Sequence, residues 1–166
     1  MGTGSMEASE FFKQVKSYFR YLLDEYDFMV ASEKAAHSAD YAEIVLTSRE
    51  WRVSIAREYG FVFIGVGSST PDERGFYLSH VVAFLDAIPP SRAIGFSPKF
   101  NEFLDYSDRI QAQLRWWAET LRPYCDRIAG LFNKEVYAVK RPELVACSEL
   151  IEREMRQELS HGGTIT

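Results

Sequence analysis

The chain has 166 residues, 46% of them apolar and 26% charged, which suits one ordinary folded domain and excludes wholesale disorder and low-complexity or collagen-like classes. A net charge of −5 and a pI near 5.3 repel phosphate backbones, so nucleic acid is a disfavoured partner. No apolar run of about eighteen residues and no basic-then-apolar leader is present, which argues against a membrane span or secretory signal and for a cytoplasmic setting.

Met1 to Ser5 reads as an expression scar ahead of a start at Met6, residues 6–159 as a single α+β domain, and 160–166 as a mobile polar tail. From Glu7 to about Tyr26, Phe11, Val15, Tyr18, Phe19, Leu22 and Tyr26 recur at spacings of three and four, the period of one long amphipathic helix. Phe28 to Asp40 turns small and polar and reads as a loop, with room for a short strand at Phe28 to Ala31.

Three strands are then predicted in quick succession. Tyr41 to Ser48 and Glu50 to Glu58 alternate apolar and polar residues, with Trp51, Val53 and Ile55 on one face and Arg52, Ser54 and Ala56 on the other. Tyr59-Gly60 marks a turn, and Phe61 to Val66 is apolar on both faces, as expected of the most deeply buried strand or of one whose second face is covered. The short connections favour antiparallel hairpins.

A polar loop over Gly67 to Gly75 leads to a helix from Phe76 to Ala87, stopped by Pro89 and Pro90, and a connector containing Gly95 and Pro98 follows. From about Phe103, Ile110, Leu114, Trp117, Leu121, Tyr124, Ile128 and Leu131 trace a heptad-like stripe, with a kink or restart expected at Pro123. The stripe could also serve a homodimer. Val136 to Val139 reads as a short extended piece, and Pro142 as the first turn of a final helix reaching Leu159. The order is α-β-β-β-α-α-α: an α+β fold with a three- to four-stranded antiparallel sheet and helices packed on one face.

Chemistry-bearing motifs are sparse. Gly65-Val66-Gly67-Ser68-Ser69-Thr70 ends a strand as phosphate loops do, but it lacks a Gly-Lys-Ser/Thr element and runs into Pro71, Asp72 and Glu73, so a polar connection is the better reading. His37, His80 and His161 lack ligand spacing, so no metal is implied, and no cofactor signature is present. Cys125 and Cys147 read as reduced structural thiols, with a disulfide between them left open. Arg115 and Trp116 fall outside the core-facing stripe and form a candidate partner-contact patch, although Trp116 packing on a neighbouring element competes with that reading. Trp51 and Arg52 form a second candidate on the sheet surface. An alternative pocket between sheet and helices would use His80, Tyr77 and Asp86, with no catalytic residue assigned.

The opening helix, Tyr41 to Ser48 followed by Trp51-Arg-Val-Ser-Ile, the strand Phe61 to Val66, and the late helix ending Leu121-Arg-Pro-Tyr-Cys-Asp-Arg-Ile-Ala-Gly-Leu-Phe carry a resemblance covering Phe11 to Phe132. In these features the chain resembles a broad set of small bacterial α+β proteins that includes immunity proteins against polymorphic toxins. The resemblance implies a non-catalytic domain that binds a protein partner, with an acidic surface blocking a basic one. It transfers no functional residue. The alternative expectation is a small-ligand-binding domain or enzyme.

Overall fold

A computed structural model describes residues 5–70, 72–93 and 105–161; the connector around Gly95 and Pro98 and the tail beyond His161 lie outside the described residues. The fold is α+β, with an open antiparallel sheet of five strands in the order β1-β2-β3-β4-β5: Met29–Ala36, Tyr41–Thr47, Trp51–Glu58, Phe61–Ser68 and Phe76–Tyr77. Each strand pairs with its chain neighbour, so the sheet is a meander.

The predicted opening helix divides at Phe19 into α1 (Ala8–Tyr18) and α2 (Arg20–Glu25). Its stripe is intact across the break: Phe11, Val15, Phe19 and Leu22 are all fully buried. Burying such a side chain contributes about 1.5–3 kcal/mol, enough to hold both segments against the sheet. The segment read as a loop is mostly strand β1, which pairs with β2 through a bulge between Val30 and Ser32. Almost every β1 side chain is exposed. With no buried face there is no alternation to read; hydrogen bonding to β2 and the Lys16–Glu33 ion pair hold this edge.

The core face of the sheet presents Ala42, Ile44 and Leu46 from β2, Trp51, Val53 and Ile55 from β3, and Val62, Ile64 and Val66 from β4. Tyr59 and Gly60 both have positive φ and make the two-residue turn between β3 and β4, a conformation that twists with the strands. Glycine suits this position because φ is 78°, a conformation that side-chain-bearing residues rarely adopt.

After β5 come α3 (Leu78–Leu85), α4 (Pro90–Ala93), α5 (Tyr106–Leu121), α6 (Cys125–Phe132) and α7 (Lys134–His161). Phe76 and Tyr77, expected to open a helix, instead pair with Val66 and Gly65. Pro123 sits in the 3-10 turn Arg122–Tyr124 that separates α5 from α6, which is the restart the proline predicted. The stripe of these helices is spent inside the molecule, with Ile110, Leu114, Leu121 and Ile128 fully buried, so it offers no seam to a twin helix. Cys125 and Cys147 are free thiols.

Two expectations about the last helix fail together. Val136 to Val139 is helical, and Pro142 lies inside α7, whose register continues through Ser160 and His161. The start is set by Asn133, whose Oδ1 accepts from the N–H groups of Glu135 and Val136. Pro142 is tolerated because both it and Ala138, whose carbonyl it leaves without an intrahelical donor, are exposed to water.

Strand β5 covers only Gly65 and Val66 of β4, and farther along that edge side chains of α5 meet the backbone at Val62. Gln113 is 3% exposed; its Oε1 accepts from the Val62 N–H at 2.9 Å and its Nε2 donates to the Gly60 carbonyl at 3.0 Å. Trp117 Nε1 donates to the Val62 carbonyl at 3.2 Å. A Gln113→Leu variant strands one buried donor and one buried acceptor, and we expect a loss of about 2–4 kcal/mol in urea unfolding with an unchanged denaturant slope.

Candidate partner-binding face

Strand alternation that sends Ile44, Ile55 and Ile64 into the core sends Glu43, Val45, Arg52, Ser54, Ala56, Phe61, Phe63 and Gly65 to the opposite face. Register then groups the small residues. Ser54 pairs with Val45 on one side and Gly65 on the other, Gly65 pairs with Tyr77, and Ala56 pairs with Phe63. The floor is therefore low, and a hollow of about 540 Å³ opens above it, walled by Arg74, Gly75 and Tyr77 and by Ser148 and Glu152 of α7.

The polar groups of the hollow are held in place. Ser54 Oγ donates to Glu43 Oε2 at 3.0 Å, and Arg52 Nη2 donates to the Glu73 carbonyl. Arg74 stands 3.6 Å from Glu152 and lies over the Phe76 ring at 5.4 Å. Beside them the rings of Phe61 (61% exposed), Phe63 (42%) and Tyr77 (54%) face solvent, with Tyr59 (72%) at the adjoining turn. The expectation that Phe61 to Val66 is buried on both faces is corrected: its second apolar face is open.

The glycines of the strand-end motif have a steric task here. A Cβ on Gly67 would lie 3.2 Å from the Gly75 backbone, so glycine lets the Arg74-Gly75 backbone pack close against β4, and Gly65 keeps the hollow deep. Gly67 and Ser68, read as loop, belong to β4.

The sequence-derived candidates separate. Arg52 lines the hollow, whereas its neighbour Trp51 points the other way, 3% exposed, with its ring edge-on to Phe28 at 4.8 Å. Trp51 is thus a core residue, a correction that follows from strand parity. Arg115 is exposed on α5, on the helical side of the sheet, and Trp116 is half-buried with its ring 4.7 Å from that of Trp117.

Tyr77 and His80 come together, ring centroids 5.3 Å apart, and His80 Nδ1 shares a 2.8 Å hydrogen bond with Ser148 Oγ of α7. Asp86 is not part of this group. It lies six residues on from His80, about 9 Å along the helix axis, and its carboxylate accepts from Tyr124 and Arg127. The Tyr124 hydroxyl first, and Arg127 second, hold the Asp86 carboxyl below the usual range. Phe61, Phe63, Glu43, Arg74, Ser148 and Glu152 were not singled out from sequence. The double apolar face of Phe61-Val-Phe-Ile, beside strands with one polar face, is the signal that was there to use.

Among the described residues, no group of three or more His, Cys, Asp or Glu side chains is arranged to hold a metal, and no helix is long and apolar enough to cross a membrane. Burial pushes the Cys125 thiol up to about 12, so it is a poor nucleophile. Burial also lowers the His80 pKa below its usual 6.5, with Glu152 opposing and Arg74 assisting. The unfolded chain therefore takes a proton that the native imidazole resists. Stability from this residue is whole above pH 6.5 and drains as pH falls toward the native pKa. Urea midpoints should decline from pH 7 to 5.5 in the native protein, and His80→Gln should flatten that slope. Neither a family model, nor any curated protein, nor any solved structure matches this chain.

Proposed function

We propose that the chain is a non-catalytic protein-binding domain whose partner docks on the open sheet face. The observation that carries this reading is the band of exposed rings, Tyr59, Phe61, Phe63 and Tyr77, running beside a hollow whose arginines and carboxylates are already oriented. Aromatic side chains lose little conformational freedom on binding and bury large areas, and arginine beside them is a common interface anchor. The net charge of −5 favours a basic partner, in keeping with an immunity-type inhibitor that covers a basic protein. Two free thiols suit a reducing compartment such as the cytoplasm.

A second reading, a small-ligand or enzymatic pocket in the same hollow, is favoured by the meeting of Tyr77, His80 and Ser148 at its wall. It has no assigned nucleophile, and the imidazole of His80 is 3% exposed, so it ranks below protein binding.

The test begins with capture of a partner from the native host by the immobilised protein, followed by calorimetry on the purified pair. Phe63→Glu should weaken the complex at least tenfold, about 1.4 kcal/mol, while Arg115→Ala leaves it unchanged. The opposite pattern would move the interface to α5, and recovery of no stoichiometric partner would shift the assignment to the small-ligand reading.

A further inference from the structure

The hollow on the open sheet face is graded from one end to the other. Register sets three rows across its floor: Arg52 beside Gly67, then Ser54 beside Gly65, then Ala56 beside Phe63. Two residues along a strand advance about 6.6 Å, so the outer rows stand about 13 Å apart. Glu43 pairs with Ala56 in the last row, so the floor carries a guanidinium at one end and a carboxylate at the other.

The two arginines of the hollow differ in how far their charge is met. Arg74 has Glu149 at 3.9 Å and Glu152 at 3.6 Å. Among the described residues no carboxylate pairs with Arg52, whose one hydrogen bond runs from Nη2 to the Glu73 carbonyl. Its Nε and Nη1 are neither bonded nor enclosed, so both are open to solvent. A guanidinium anchored at one nitrogen with donors to spare is prearranged for a carboxylate, to which its charge-assisted bonds are short and strong. The hollow is also closed at this end. A Cβ on Gly67 would meet Gly75 Cα at 3.2 Å, so the Arg74-Gly75 backbone lies over the first row. A polypeptide running along the floor towards Arg52 meets that backbone and stops, as a chain end does. The middle row between them is low and apolar at its sides, with Val45 next to Ser54 and Tyr77 next to Gly65.

We propose that the hollow captures the C-terminal tail of the protein partner, with the terminal carboxylate on Arg52, an apolar side chain between Val45 and Tyr77, and a Lys or Arg side chain at Glu43. This rests on the protein-binding reading and deepens it by naming the part of the partner that is held. An extended chain rises about 3.3 Å per residue, so the floor takes about four residues and the basic side chain stands about that far from the end. A terminal carboxylate is a recurring handle in peptide recognition, and a basic partner supplies one as any chain does.

The experiment passes pools of short acetylated peptides, a fixed lysine followed by about three randomised residues, over the immobilised full chain, the pools being made both as free acids and as C-terminal amides. Peptides retained from the free-acid pool should carry an apolar residue and bind at least about tenfold more tightly than their amides. Exchanging the fixed lysine for glutamate should weaken retention. Arg52→Gln should remove the preference for free acids, Arg52→Lys should keep part of it, and Arg115→Ala should leave it whole. Equal retention of acids and amides, retention governed by an internal Asp or Glu, an undiminished preference in Arg52→Gln, or no retention of either pool overturns the proposal. A natural partner that is lost with Phe63→Glu but tolerates both Arg52→Gln and an added C-terminal residue overturns it too, while leaving the protein-binding reading intact.

Discussion

Half of the outer edge of β4 has no strand beside it, and side chains of α5 finish its backbone at Val62: Gln113 accepts from the N–H and Trp117 donates to the carbonyl. Buried peptide groups tolerate no vacancy, so this junction fixes where α5 lies along the sheet and how it is rotated. That rotation turns Ile110, Leu114 and Leu121 inward, where they meet the same sheet face as Phe11, Val15 and Leu22 from the opening helices. The helical layer is thus referenced to the sheet by hydrogen bonds and then filled by apolar packing.

Because that layer covers one face, the other is free to be shaped by local choices. Ser54, Ala56 and Gly65 lower its centre, and Gly67 lets Arg74 and Gly75 pack close and build a wall. Phe61 and Phe63 would be ordinary core residues by composition; the parity of β4 puts them in water instead. An apolar band next to prearranged charges is an unusual thing for a small protein to leave uncovered, and it is the basis for reading the molecule as a binding domain.

The buried polar groups divide by how completely they are satisfied. Gln113 uses both ends of its amide, and His80 and Ser148 satisfy one another between α3 and α7, fixing the helix that forms one rim of the hollow. Arg57 and Asp40 satisfy each other only in part. In the first two cases polar chemistry positions the scaffold, and in the third an ion pair is enclosed with part of its hydrogen-bonding capacity unmet.

Periodicity in the sequence determined the opening amphipathic segment, the three central strands, their antiparallel hairpins and the restart at Pro123, because each rests on contacts between near neighbours or on a residue's own covalent geometry. It could not reveal β1, whose exposed side chains have no buried face to report, nor the continuity of α7 through Pro142, which depends on Asn133 as a cap and on water beside Ala138. It identified Arg52, Tyr77 and His80 as residues of interest but grouped Arg52 with Trp51 on one sheet surface, and Asp86 with His80 in one pocket. Only tertiary structure could divide those pairs and bring Ser148 to His80 or Arg74 to Glu152, since strand parity and helix rise separate neighbours while packing joins residues far apart in sequence.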